Sequence, residues 1–232
     1  MLLVSIERSP TITVSSQADQ TGRRRYTSPQ RAAAARATRD RIRAAATRLF
    51  LADGYAATSI RAIADLAGVA EKTVYLQFAT KTALLNEVVG AAIVGDGEAV
   101  AAADRQWFRD IVDSPDPTTK IRLLAAATSA LHERSGAVFA MALGAAAVDA
   151  EAAGLWRAGK QGHLADMTLL AESFAEAGMI PTGLDLGWAV RTLYVLVGLE
   201  SWHLIRRELE LDAAEYHTWL RNSLEAAFLH FP

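Results

Sequence analysis

Residues Thr58 to Phe78 read TSIRAIADLAGVAEKTVYLQF, an order that leaves little freedom in local structure. Ile60, Ile63, Ala64 and Ala67 recur at helical spacing and form one apolar stripe. Thr58 or Ser59 offers a hydroxyl that can accept from the N–H groups of the first turn, and both are candidate DNA contacts at that end of the helix. Gly68 has the conformational freedom to end the helix. A second, short helix is predicted from about Glu71 to Phe78. Helix, tight glycine turn and helix make the helix-turn-helix pattern, whose second helix enters the DNA major groove.

The second helix divides into faces. Val74 and Phe78 are one turn apart and share the inward side. Lys72, Thr73 and Leu76 then point away, with Tyr75 and Gln77 on the flanks and Glu71 at the start. Such a set suits a groove. Lys72 can meet a phosphate or a guanine, the hydroxyls of Thr73 and Tyr75 can meet phosphate oxygens, and the Gln77 amide can meet a base edge. Leu76 is an unusual residue to expose, and it would fit a thymine methyl. On periodicity alone, the same pattern also describes an amphipathic helix pair in an ordinary core, with Leu76 a chance surface leucine.

The flanking sequence, from Ile42 to Val89, reads IRAAATRLFLADGYAATSIRAIADLAGVAEKTVYLQFATKTALLNEVV. It carries a first helix ending in Phe, a GY..T[ST] turn, IA..AGV, T.Y..F and K..LL, in that order. By these words the chain resembles the tetracycline-repressor-type (TetR) family of transcription regulators, strongly over the N-terminal domain and weakly beyond it. The resemblance implies an all-α fold of about nine helices, with an N-terminal three-helix DNA-binding domain followed by a helical ligand-binding and dimerisation domain. It implies that Lys81 faces a phosphate and that the Tyr55 ring packs the small domain, its hydroxyl within reach of a phosphate. It also implies that movement of the fourth helix resets the distance between the two recognition helices of a dimer when ligand binds.

Charge distribution is informative where net charge, −2, is not. Residues 1–90 hold 13 Lys+Arg against 7 Asp+Glu, and residues 91–232 hold 11 against 19. A basic part joined to an acidic remainder suits a chain that docks one end on a polyanion. There is no cysteine, which excludes disulfides, thiol sensors and cysteine-based zinc sites. No apolar run approaches the roughly 20 residues that span a bilayer, so the expectation is a cytoplasmic protein without membrane contact. Alanine-rich, β-branched-poor composition favours helix throughout.

In chain order, residues 1–35 are expected to be a disordered arm with a basic end, Gly22-Arg23-Arg24-Arg25 and Arg31. This arm either adds phosphate and minor-groove contacts or is a solvated leader. The DNA-binding domain is expected over 36–92, its first helix from about Thr38 to Ala52, with Arg36, Arg39 and Arg43 extending the basic run and Arg43 a candidate phosphate contact. Arg61, just inside the second helix, is well placed for phosphate, as is the helix N-terminus itself. Thr80 caps the fourth helix, where Lys81 opposes the helix dipole unless it meets an anion. Gly95 and Gly97 mark a break before the second domain, 93–232. Its helices are predicted near 104–112, 117–147 (kinked at Gly136), 149–178, 184–209 and 212–229, the last capped by Asp212.

Two features of the second domain suggest function. Large side chains stand among many alanines, and Trp107, Phe139, Trp156, His163, Met167, Phe174, Tyr194 and Trp202 are candidates to line a pocket for a small hydrophobic or aromatic ligand. For each of them, ordinary core packing is the competing explanation. The segments 184–209 and 212–229 carry broad apolar faces, Trp188, Leu193, Leu196, Val197, Leu199 and Leu204 on one and Tyr216, Trp219, Leu220, Leu224, Phe228 and Leu229 on the other. Such faces often bury against a symmetric partner, and in the resembled family they form a four-helix homodimer interface. Two-fold symmetry then places two recognition helices on palindromic double-stranded DNA. The expected function is a sequence-specific regulator, a repressor released by a small molecule. The rivals are a helical enzyme and a DNA-architectural protein without a sensing pocket. No HExxH, GxSxG, P-loop or Rossmann pattern occurs, so no catalytic residues, metal or cofactor are expected.

Overall fold

The computed structural model describes residues 29–94 and 102–230. Of the arm expected over 1–35, residues 1–28 lie outside the described residues, as does the glycine break at Gly95 and Gly97, while residues 29–35 are helical. Every regular element among the described residues is helical. The elements are α1 (Pro29–Asp53), α2 (Ile60–Ala67), α3 (Glu71–Gln77), α4 (Lys81–Val94), a 3₁₀ turn (Ala102–Asp104), α5 (Gln106–Val112), α6 (Pro117–Ala146), α7 (Ala150–Glu176), α8 (Leu186–Leu196), α9 (Leu199–His203), a π turn (Leu204–Glu208) and α10 (Ala213–Phe228). Helix α1 begins well before the expected Thr38. Pro29 needs no amide partner in the first turn, and the alanines that follow are the best helix formers, so residues 29–37 extend the helix although residues 30–37 are exposed.

One small core forms where α1, α2, α3 and α4 meet. Ile42, Ala46 and Phe50 of α1 pack with Ile63 and Ala64 of α2, Val74 of α3 and Leu84 and Val88 of α4, all buried. Helix α4 also packs on α6, which touches α1, α5, α7, α9 and α10 and is the central helix of the molecule. The second core holds Ile121 and Leu124 of α6, Leu170 and Phe174 of α7, Leu193 of α8 and Leu220, Leu224 and Phe228 of α10. The Phe174 and Phe228 rings meet edge to face at 5.0 Å, a favoured aromatic geometry. Lys120 is buried and its ammonium donates to the carbonyl of Ile111 (3.1 Å) and to Ser173 Oγ (3.1 Å). It thus satisfies the open carboxyl end of α5 and ties α5 and α6 to α7.

Two expected details are corrected. Helix α6 runs as one element through Gly136 instead of dividing there, and the glycine serves as a notch. The Trp202 indole lies so close that a Cβ on Gly136 would stand 2.0 Å from it. The expected helix over 184–209 divides at Gly198, whose backbone is extended (φ −77°, ψ 147°). A Cβ there would stand 2.7 Å from the Tyr194 carbonyl oxygen, so only glycine allows the chain to fold back this tightly. After Gly198, α9 and the π turn lie against α6, where Arg206 pairs with Glu133 (2.8 Å) and the Trp202 indole N–H donates to the same carboxylate (3.3 Å).

Candidate nucleic-acid interface and ligand cavity

Helix α2 is set by its ends. Ser59, not Thr58, is the cap: its hydroxyl accepts from Ala62 N–H at 3.0 Å. Thr58 is buried and donates to the Gly54 carbonyl at 2.8 Å, closing the turn after α1, so its hydroxyl is withdrawn from the DNA contacts expected of it. Gly68 takes the left-handed conformation (φ 65°, ψ 43°), and its N–H reaches back to the carbonyls of Ala64 and Asp65. This turn swings α3 across α2. Val74 and Phe78 then face the core, as their spacing predicts.

The other side of α3 is left open. Leu76 is 74% exposed and Tyr75 51% exposed. Glu71, Lys72 and the Ser59 end of α2 are also exposed, while Thr73 and Gln77 are half-buried at the edge. Arg61 and Lys72 form no ion pair among the described residues, so their charges face solvent uncompensated. The carboxyl end of α3 is anchored by Arg39, which donates to the Gln77 carbonyl (2.9 Å), pairs with Glu87 (2.6 Å) and lies over the Phe78 ring (4.2 Å). Arg39 holds the helix in place, a role that no local sequence pattern signals.

Two expected phosphate contacts are drawn inward. The Arg43 guanidinium pairs with Asp40 (2.9 Å) and stands 3.6 Å from Glu87, so it braces α1 against α4. The Lys81 ammonium donates to the Tyr55 carbonyl and lies 4.2 Å over the Tyr55 ring. Burial pushes the Lys81 pKa down, with the charge of Asp149 opposing the shift. The Tyr55 hydroxyl meets Thr82 Oγ1 of α4 and donates to Asp149 Oδ2, both at 3.0 Å, instead of reaching outward. Asp149 is itself the cap of α7, accepting from the N–H groups of Glu151 and Ala152. Hydrogen bonds from that backbone and from Tyr55 hold its carboxyl below the usual range. Tyr55 therefore links the turn after α1, the start of α4 and the start of α7.

The expected pocket residues separate into two groups. Phe139, Trp156 and Trp202 line one cavity of about 470 Å³ between α6, α7, α9 and the π turn. The others do not reach it. His163, Met167 and Phe174 are core residues of α7, and His163 Nε2 lies 3.3 Å from the Tyr194 carbonyl with the two rings 4.6 Å apart. Burial lowers the His163 pKa to about 4. Trp107 packs edge to face on Phe108 in α5. The cavity also takes Glu200, His203, Leu204 and Glu208, which sequence spacing does not single out because the break at Gly198 decides where they point. A second, more open cleft of about 620 Å³ separates the end of α1 from α6, with Phe50, Tyr55, Met141 and Arg207 in its walls. No helix among the described residues is long and apolar enough to cross a membrane.

The sequence from residue 42 to residue 88 matches the family model of the bacterial regulatory proteins of the tetR family. No curated protein matches the sequence. Solved structures share the fold over most of the chain. The SmeT–triclosan complex aligns with a TM-score of 0.64 at 19% identity, over 84% of this chain and 92% of that one. NalD of Pseudomonas aeruginosa, described as the secondary repressor of the MexAB-OprM multidrug efflux pump, aligns at 0.61 and 23% identity, over 84% and 98%. GusR of Salmonella enterica aligns at 0.55 and 20% identity, over 82% and 95%. Residues 42–88 thus carry the helix-turn-helix domain of the bacterial regulatory proteins of the tetR family.

Proposed function

We infer that the protein is a homodimeric repressor that binds a palindromic operator and leaves it when a small molecule occupies the second domain. The observation that carries this reading is the outer face of α3. A helix packed through Val74 and Phe78 exposes Leu76, Tyr75 and Lys72 side by side, an arrangement with no use in the core. In the groove, Leu76 takes a thymine methyl, Gln77 reads a base edge at the rim, and Lys72, Thr73, Tyr75, Arg61, Ser59 and the first turn of α2 hold phosphates. The domain division belongs to the same reading, with the DNA-binding part opening at Pro29 rather than 36 and α4 joining it to the remainder.

Repression and ligand release are supported by the neighbours: NalD is described as a repressor and SmeT was solved with triclosan. For the dimer, the apolar residues of α10 offer little support, since Tyr216, Leu220, Leu224 and Phe228 are buried within their own chain. Support shifts to Val195 of α8, Leu184 and Leu186 at its start, and Leu164 and Leu169 of the adjoining α7, all exposed. The match of residues 42–88 to the tetR family model favours a regulator over a helical enzyme.

Selection of bound duplexes from a random pool tests this function, followed by a salt titration on the selected site. A dimer making about six phosphate contacts loses affinity by about 10³-fold between 50 and 200 mM salt. A flat titration, or a pool that yields no shared inverted repeat, overturns the reading.

A further inference from the structure

The walls of the 470 Å³ cavity differ in chemistry from the rest of the second domain. Phe139, Trp156 and Trp202 supply aromatic surface, and Leu143, Leu199 and Leu204 supply aliphatic surface. Among the described residues, the ionisable groups in the wall are Glu200, His203 and Glu208, and no lysine or arginine lines it. Glu200 is neutralised from behind by Lys160 at 2.6 Å, which also lies 4.6 Å over the Tyr194 ring. Glu208 has no ion-pair partner among the described residues. Its neighbour Arg206 is committed to Glu133, and Arg207 faces the other cleft. Helix α6 ends at this cavity too, since Leu143, Gly144 and Ala147 line it, and the carboxyl end of a helix carries partial negative charge.

We propose that this cavity selects a planar hydrophobic cation, an aromatic amine or quaternary ring, stacked on its tryptophans with its charge turned toward Glu208. The assignment rests on the ligand-responsive reading given above and specifies the ligand class of that site. Three features converge on it. Aromatic faces attract cations through their negative quadrupole. A carboxylate at the rim gives the charge a partner, and the absence of any wall cation makes an anion unfavourable. The Gly136 notch seats Trp202 deep against α6, which leaves a flat wall with room for a fused ring system. Because Leu204 and Glu208 stand four residues apart on the π turn, the turn presents an apolar and an acidic group to the same space.

Three acridines of equal shape test the charge: N-methylacridinium, neutral acridine at pH 8 and acridine-9-carboxylate. Binding to the full-length protein is followed by quenching of tryptophan fluorescence, and release from the selected operator duplex is followed separately by anisotropy. The cation is expected to bind about tenfold tighter than neutral acridine, and the carboxylate weakest of the three. Glu208→Gln should weaken the cation about fivefold and leave neutral acridine unchanged, while Trp156→Ala should weaken both. Equal binding of cation and neutral ring, tighter binding of the carboxylate, or a silent Glu208→Gln overturns the proposal. If the neutral ring or the carboxylate binds best and releases DNA, the ligand-responsive reading survives and only the ligand class falls. If the cation binds best and DNA stays bound, the class stands and that reading falls. Binding of none of the three overturns the ligand class and leaves the ligand-responsive reading standing.

Discussion

Helix α3 and the α9–π segment are short pieces of helix held against longer ones, and each leaves a different side unfilled. Helix α3 buries its inner residues, Val74 and Phe78, and presents an outer face of Tyr75 and Leu76 that none of the described residues covers. The α9–π segment is pinned at its outer edge by Arg206 on Glu133, and the gap lies beneath it, between Trp202, Phe139 and Trp156. A macromolecular partner can approach the first surface, while only a small molecule fits the second. The means of anchoring differ accordingly. The inward packing of Val74 and Phe78 and the Arg39 anchor hold α3, so its outer residues can change without loss of fold. A ring seated in a backbone notch holds α9, so its stability and the shape of the cavity depend on the same contact.

Substitutions at the two anchors should show this contrast, beginning with the largest effect. Gly136→Val drives a branched side chain into the Trp202 indole and should destabilise the protein by about 3 kcal/mol. Chemical denaturation measures the loss, and a stability within error of the parent would mean that Trp202 is not seated as described. Val74→Ala removes buried volume beneath α3 and should cost about 2 kcal/mol. Leu76→Ala, two residues away on the outer face, should change stability by no more than about 0.5 kcal/mol and yet lose preference at one thymine-containing step. Equal stability losses for Val74→Ala and Leu76→Ala would remove the distinction between the two faces.

Smaller effects concern how the halves communicate. Tyr55→Phe deletes the hydroxyl that touches Thr82 and Asp149 and should cost about 1 kcal/mol. Its sharper consequence is a weaker influence of ligand on DNA affinity, read as the ratio of operator affinities with and without ligand. An unchanged ratio would show that the Tyr55 link carries no signal.

The last prediction concerns Asp166, whose Oδ2 is buried and has no hydrogen-bond partner among the described residues. Burial pushes its carboxyl up to about 7, so the folded chain keeps a proton that the unfolded chain releases in the ordinary carboxylate range. That contribution to stability is complete below about pH 4 and is lost as pH rises through 7. Buried His163 and His132, lowered to about 4 and about 3 by desolvation, act oppositely. Their contribution is present above the ordinary histidine value and is lost as pH falls through the lowered ones. Asp166→Asn should therefore gain on the parent steadily from pH 4 to pH 7 in urea midpoints. A constant difference across that window would contradict the burial of the charge.

Much of the N-terminal domain could be read in residue order because its determinants lie within a few residues of one another. The stripe Ile63, Ala64 and Ala67, the Ser59 cap, the left-handed Gly68 and the inward Val74 and Phe78 are all local, and the structure shows each of them. The placement of charged side chains was less legible. Arg43 and Lys81 look available to phosphate in the sequence, but their partners Glu87 and Tyr55 stand on other elements. Thr58 and Ser59 are equivalent as local caps, and only the Gly54 carbonyl, brought close by the turn after α1, decides that Thr58 turns inward.

The second domain shows the same division at greater range. Composition and spacing establish that it is helical, where α6, α7 and α10 run, and that aromatic residues stand among alanines. They do not establish which aromatics share a cavity, because a period of 3.6 residues assigns a side chain to a face without saying what the face meets. The packed structure decided that Gly136 receives Trp202, that Gly198 divides a helix in two and that the apolar stripe of α10 is buried in its own chain. Helix periodicity arises from interactions over three or four residues and is written along the chain. A cavity is the space left between elements far apart in sequence, so its shape and charge exist only after they have packed.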